Sequence, residues 1–166
     1  PFFAIYKPYT LIQAARGCRY RCYFCTHDAH FKTHRKKSVS AFMKEVETSL
    51  RQLGVRDIGF IDSYFPPDTE WGWEFVDRVK RDCADSPFRF YFETRTDSVE
   101  EALFHELAKV GARNVMIGFE SGNEETLRKI GKGTTLEQGR RAMRILRKTG
   151  VLTTGFFMIG FPWETE

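Results

Sequence analysis

The chain has 166 residues, a formal net charge of +4, and 42% hydrophobic and 29% charged side chains. That balance is too apolar for a disordered tail, and the length suits one globular domain. No apolar run approaches the roughly 18 residues a membrane span requires.

In chain order, strands and helices alternate. Tyr9–Ala15 reads as a short strand ended by Arg16-Gly17, and residues 26–37 are polar and read as loop. Ser38 or Ser40 is placed to cap a helix in which Phe42, Met43, Val46, Leu50 and Leu53 recur at helical spacing, with Gly54 as its stop. Asp57–Asp62 is a second strand, and Pro66-Pro67 breaks the chain before a helix over Trp71–Asp82 that buries Trp73 or Phe75, Val76 and Val79. Phe88–Glu93 is a third strand. Val99–Val110 is an amphipathic helix carrying Leu103, Phe104, Leu107 and Ala108 on one face. Asn114–Phe119 is a fourth strand, Glu124–Ile130 and Leu136–Thr149 are helical, and Thr153–Ile159 is a fifth strand closed by Gly160-Phe161-Pro162. Sixteen Phe supply ample core material.

Five β units separated by helices imply parallel strands joined by right-handed crossovers. A doubly wound sheet fits that alternation. A partial (β/α) TIM-type barrel, with at least five β/α units and cut on its C-terminal side, fits better. Polar residues follow nearly every strand: Cys18, Asp62, Glu93 with Arg95, Glu120 with Ser121, and Glu164. That rim is where such barrels carry their active sites. The chain begins at Pro1 rather than Met, so residues 1–166 are expected to be one core domain of a longer protein and the lack of a signal-like stretch carries little weight; the expected location is cytoplasmic.

Charge and cysteines concentrate in one place. Residues 16–37 hold seven basic side chains (Arg16, Arg19, Arg21, Lys32, Arg35, Lys36, Lys37) against one acid, Asp28. Without an aromatic nucleic-acid motif, this reads as a solvated basic loop rather than a nucleic-acid surface. Cys18, Cys22 and Cys25 fall within eight residues, while Cys83 stands apart in a helix with no role expected. Three clustered thiols in a chain that is neither short nor loop-rich point to an intracellular metal site, not to disulfides. Three thiolates around a cubane iron–sulfur cluster leave one iron open to a reactant. Arg16, Arg19 and Arg21 would offset the cluster's negative charge, and Gly17 permits a tight turn. Two alternatives stand beside this: structural cysteines on one helix face, and zinc with His27, His30 or His34 as fourth ligand.

Cys18-Arg-Tyr-Arg-Cys22-Tyr-Phe-Cys25, with its Arg-Gly lead-in, resembles the signature of the radical S-adenosylmethionine (SAM) superfamily. Ile117-Gly-Phe-Glu-Ser-Gly122 and Phe157-Met-Ile-Gly-Phe-Pro162 resemble its fourth- and fifth-strand motifs, in matching order and separation. The resemblance covers nearly the whole chain. It is strongest to the branch whose members often carry an upstream cobalamin-binding domain. It implies a 4Fe–4S cluster on Cys18, Cys22 and Cys25, with SAM chelating the fourth iron. Reductive cleavage of SAM then starts hydrogen abstraction or methyl transfer on a substrate the sequence does not specify. A reductant such as flavodoxin or ferredoxin, and cobalamin from a domain outside these residues, are implied partners. A non-catalytic cluster module is the remaining alternative.

The resemblance also assigns SAM contacts. Phe24 lies near the adenine. Asp62, where relatives carry a Gly-Gly-Glu-like motif, accepts from the SAM amino group. Glu120 holds the ribose, and Lys132, between two glycines, lies near the SAM carboxylate. Arg95 faces the same rim, where it would hold the cofactor or pair with Glu93. Met158 and Gly160 approach the adenine, and Glu164 fits only loosely because Trp163 stands where relatives often have Gly. Each has a plainer reading: core packing for Phe24, a strand-end turn for Asp62, and an exposed loop lysine for Lys132.

Overall fold

The computed structural model describes residues 8–26, 30–31 and 33–164. His27, Asp28 and Lys32, weighed above as a zinc ligand and as local charges, lie outside the described residues.

The main sheet holds five parallel strands: β1 (Tyr9–Ile12), β4 (Asp57–Phe60), β5 (Arg89–Arg95), β6 (Ala112–Glu120) and β7 (Leu152–Phe157). Their spatial order is their chain order. A doubly wound sheet reverses direction at a switch point, whereas winding one way strand after strand is how a (β/α) barrel grows. The fold is therefore the partial barrel expected, open between β1 and β7.

A second ladder was not foreseen. β2 (Ala15–Arg16) pairs antiparallel with β3 (Arg35–Lys36), inside the stretch read as loop. The predicted strand Tyr9–Ala15 also splits. The cause lies in Asp62, whose carboxylate accepts the backbone N–H groups of Ala14 (3.1 Å) and Ala15 (2.5 Å). Those amides leave the β4 ladder, and the chain turns into the hairpin that frames residues 17–34.

Helices α1 (Val39–Arg51), α2 (Thr69–Asp82), α3 (Glu101–Lys109), α4 (Glu124–Lys129) and α5 (Leu136–Thr149) follow the strands, with a 3-10 turn over Thr96–Ser98. Of the two serines considered, Ser38 caps α1, its hydroxyl accepting from Ala41 N–H at 3.2 Å. Phe42, Met43, Val46 and Leu50 are buried as expected, but Leu53 is 61% exposed, because α1 ends before it. In α2 the buried aromatics are Trp71 and Phe75, with Trp73 only packed against the core's edge. Phe60, Phe90 and Phe92 project from neighbouring strands toward these helices, with Phe60 stacked on Phe90 at 5.0 Å and Phe65 edge-on to Phe92 at 5.1 Å. Each such buried side chain contributes about 1.5–3 kcal/mol. This layer fixes the strands whose C-terminal ends carry the candidate site.

Strand ends shift by a residue or two from expectation. β5 runs on to Arg95, and β6 runs from Ala112 to Glu120. β7 stops at Phe157, short of the predicted Ile159, before Gly160 turns at φ 88°. Among the described residues, no helix is long and apolar enough to cross a membrane.

Candidate active site

The cysteine loop is anchored at both ends. Gly17 sits at φ 86°, and a Cβ there would lie 2.2 Å from the Thr33 carbonyl oxygen, so the turn into Cys18 admits only glycine. The Ser63 hydroxyl donates to the Gly17 carbonyl at 3.3 Å. Farther along, Tyr23 N–H donates to the Ile130 carbonyl at 2.9 Å, and the Tyr23 ring lies over Gly131, where a Cβ would meet it at 3.2 Å. Cys25 N–H donates to the Cys22 carbonyl at 3.0 Å, closing a turn.

Cys18 and Cys22 are half-buried and Cys25 is exposed, all as free thiols. Burial pushes the Cys18 thiol up, the Tyr20 backbone and the Arg95 charge pull it down, and the Cys22 and Cys25 thiolates push it up again. The three sulfurs thus share one electrostatic neighbourhood. Among the described residues no three His, Cys, Asp or Glu side chains gather around a point as ligands of a single ion. Ligands of a cubane bind three separate irons and stand farther apart than ligands of one ion. His34, one of the imidazoles considered for zinc, is stacked on Tyr64 (5.4 Å), with Nε2 3.4 Å from the phenol oxygen. Its ring is committed to that contact.

Arg95 ends β5 and reaches into the loop. Its side chain is buried and stacked 3.5 Å over the Tyr20 ring, and an N–H points at Cys22 Sγ 3.7 Å away. The pairing with Glu93 offered above does not form. Arg95 binds Asp97 through two N–H groups (2.9 and 3.0 Å) and the Lys132 carbonyl at 2.7 Å. The chain bends at the 3-10 turn directly after β5, which brings Asp97 back beside Arg95, while Glu93 stays out on the strand. Packing around the Glu93 carboxyl raises its pKa, and the nearby Glu120 carboxylate raises it further. Arg95 adds to the charge expected from Arg16, Arg19 and Arg21, and it reaches the Cys22 thiol. Arg19 lies instead 5.5 Å over the rings of Tyr20 and Tyr64.

Glu120 and Lys132 meet. Lys132 Nζ donates to Glu120 Oε1 at 2.6 Å, and both side chains are buried. Glu120 adopts φ 64°, a left-handed backbone uncommon outside glycine, at a register shift between Gly118 and Glu120 in the β6–β7 pairing. Gly118 makes room: a Cβ there would lie 2.4 Å from Glu120 Oε1 and 2.8 Å from Lys132 Nζ. The ammonium also stands 5.9 Å from the centre of the Phe24 ring, which joins the pair to the cysteine loop.

Beside this pair opens a cleft of about 760 Å³ lined by Glu120, Ser121, Asn123, Met158, Gly160 and Glu164, among others. Met158 N–H donates to the Glu120 carbonyl at 2.8 Å. The Glu164 carboxylate accepts from Gly160 N–H (2.8 Å) and Phe161 N–H (3.1 Å), closing the turn after β7. Three predicted contacts, Glu120, Met158 and Gly160, thus line one cleft. Phe24, Lys132 and Arg95 join it to the thiols. Asp62 stands apart: each of its oxygens accepts one backbone amide, from Ala14 and Ala15, and burial pushes its carboxyl up to about 6. Sequence reading missed Gly118, Tyr20 and Asp97. The alternation Glu93-Thr-Arg95-Thr-Asp97 and the Gly within Ile117–Gly122 carried the signal for two of them.

A family model for the radical SAM superfamily matches residues 12–166. The chain is 29% identical over 160 residues to an uncharacterized methyltransferase of Pyrococcus horikoshii, across 96% of this chain and 34% of that protein. It is 31% identical over 170 residues to the 4′-phospho-dehydrooxetanocin synthase of Priestia megaterium, across 89% of this chain and 23% of that protein. The solved radical SAM methyltransferase TsrM of Kitasatospora setae, with cobalamin and a [4Fe–4S] cluster bound, superposes at a TM-score of 0.83 and 26% identity, over 96% of this chain and 32% of that one. The chain therefore spans about a third or less of the length of these relatives.

Proposed function

The chain belongs to the radical SAM superfamily, and from that footing we propose that it is the catalytic core of an enzyme that binds a 4Fe–4S cluster and SAM and starts radical chemistry. What carries this is a single loop bearing three thiols, one of which, Cys22, is met by the buried Arg95, beside the Glu120–Lys132 pair that edges one cleft. When bound, cluster and SAM together supply one-electron cleavage of the sulfonium S–C5′ bond, chemistry that belongs to the cofactors.

The chain's own residues bind, orient and shield. Cys18, Cys22 and Cys25 would hold the cluster through their thiolates, and the cluster with SAM would supply the reductive cleavage. Lys132 supplies positive charge on the carboxylate side, and Glu120 offers acceptors to the ribose hydroxyls, as an acid does in dinucleotide-binding folds. Phe24 and Met158 supply apolar surface for the adenine, and the turn at Gly160, held by Glu164, lets backbone approach it. Asp62 is assigned the structural task of bending β1 into the hairpin, with one amide on each carboxylate oxygen and a second lone pair on each left for a SAM amine.

One relative is named a methyltransferase and another a synthase, so the reading extends to hydrogen abstraction or methyl transfer, with cobalamin held by a further domain in the methyl-transfer case. A reductant such as flavodoxin or ferredoxin would deliver the electron. A cytoplasmic location belongs to the same reading, because thiolates that serve as cluster ligands must be kept reduced.

Anaerobic reconstitution of the full-length protein with iron and sulfide tests the proposal. The parent is expected to bind about four irons with brown visible absorbance and, with dithionite and SAM, to release 5′-deoxyadenosine. Cys22→Ala is expected to lose the cluster and keep most of its far-ultraviolet dichroism. A colourless parent carrying stoichiometric zinc would overturn the reading.

A further inference from the structure

Arg95 makes more contacts than a residue reserved for a ligand would. Four of its five N–H groups are already used, two on Asp97, one on the Lys132 carbonyl and one toward Cys22 Sγ. One face of the guanidinium is covered by Tyr20. Its side chain is 7% exposed. A fixed cation at that depth acts through a low dielectric and is little screened by salt. Its most direct neighbour with redox consequence is the Cys22 sulfur.

We infer that Arg95 is a positioning residue for the Cys22 ligand: it holds the thiolate by a charge-assisted N–H···S contact and makes the cluster on that loop easier to reduce. This rests on the cluster assignment proposed above. Adding one electron to the cluster adds one negative charge, shared with its thiolates. A positive charge and a hydrogen-bond donor on one sulfur stabilise the reduced form more than the oxidised form, and the midpoint potential rises. Asp97 sets the size of the effect. Its carboxylate cancels part of the guanidinium's charge, while the Lys132 carbonyl and the Tyr20 ring hold the guanidinium in place. The bidentate pairing also explains why the arginine does not turn toward the cleft. Lys132 is drawn into the same arrangement through its backbone, so the group on the thiol and the ammonium on Glu120 hang from one junction.

The test is a redox titration of the reconstituted full-length protein, with the reduced cluster followed by electron paramagnetic resonance. Arg95→Gln is expected to leave about tenfold less reduced cluster at a fixed ambient potential, a downward shift of about 59 mV for a one-electron couple. Arg95→Lys keeps the charge and loses the fork, and is expected to stay within about twofold of the parent. Asp97→Asn removes the cancelling charge and is expected to shift the couple upward by at least twofold. A role confined to pinning the loop predicts otherwise: Arg95→Gln and Arg95→Lys would shift alike, and Asp97→Asn would not move the couple upward. Equal shifts in the two arginine variants, or no shift in Arg95→Gln, overturn the inference. If Arg95→Gln cannot retain a cluster, Asp97→Asn decides alone, and an unchanged or lowered potential overturns it. A parent protein that forms no cluster is the separate failure of the functional reading itself.

Discussion

Lys132 Nζ stands 2.6 Å from Glu120 Oε1, and neither side chain has more than a tenth of its surface exposed. The two residues are twelve apart in sequence, one at a strand end and one between two glycines, and the fold closes them into a single buried unit. Breaking such a pair from one side strands a desolvated charge and typically costs 3–5 kcal/mol, whereas removing both partners costs much less than the sum. Lys132→Met is therefore expected to lower the unfolding free energy by about 3–4 kcal/mol, and Glu120→Gln by about 2–3 kcal/mol. The double variant is expected to fall short of additivity by at least about 1.5 kcal/mol in a urea-denaturation cycle. Additive losses would show that the two charges do not stabilise each other.

Gly118 gives that pair its space. An alanine methyl there would overlap Glu120 Oε1 and Lys132 Nζ, both far ends of flexible side chains, so the fold survives while the pair is displaced. Gly118→Ala is expected to cost only about 1–2 kcal/mol of stability but to weaken SAM binding about tenfold, matching the loss of one hydrogen bond to a charge. Isothermal titration with SAM on the reconstituted protein checks this. Unchanged affinity would remove the pair from the cofactor site.

Much of this arrangement was legible in the sequence, for identifiable reasons. Parallel strand order follows from alternating periodicities, and Ser38, Phe42 and Phe75 sit where capping and helical spacing put them. The thiol loop is local, so its spacing marked it as a metal-site candidate, and the resemblance to the radical SAM signature, not the spacing, selected a cluster over zinc. What failed to show was long-range and polar. Nothing near Asp62 announces that its carboxylate will take the amides of Ala14 and Ala15, forty-eight and forty-seven positions away, and bend the first strand. Arg95 has an acid two residues away on either side, and the choice of Asp97 over Glu93 is made by the 3-10 turn after β5. The left-handed backbone of Glu120 is similarly invisible, since the residue type argues against it.

Asp62 carries a pH signature. Burial raises its folded-state pKa to about 6, against an ordinary carboxylate value near 3.8, while the two backbone donors pull it down less strongly. A carboxyl with a raised folded pKa binds its proton more tightly folded than unfolded. Its contribution therefore favours the folded state most below pH 4, and is lost as pH rises from about 4 to about 6. The shift of about two pH units corresponds to about 3 kcal/mol. Urea midpoints of the parent relative to Asp62→Asn, which cannot titrate, are expected to fall across that interval and to level off above pH 6. A difference that rises with pH would mean that the Ala14 and Ala15 amides outweigh desolvation.

Gly17 is the most sensitive single backbone position beside the thiols. Its φ of 86° penalises any L side chain by about 1–2 kcal/mol, and its added Cβ would sit 2.2 Å from the Thr33 carbonyl, a rigid backbone atom that cannot swing aside as a side-chain end can. Relief requires the hairpin of β2 and β3 to open, and that hairpin sets where Cys18 begins. Gly17→Ala is therefore expected to cost about 2–4 kcal/mol, combining the backbone penalty with overpacking. It should also lose most of the bound iron while the Phe-rich core stays folded. Iron content by chelator assay, read beside near-ultraviolet dichroism, separates the two effects. Full iron loading in a folded Gly17→Ala protein would show that the hairpin does not position the cysteine loop.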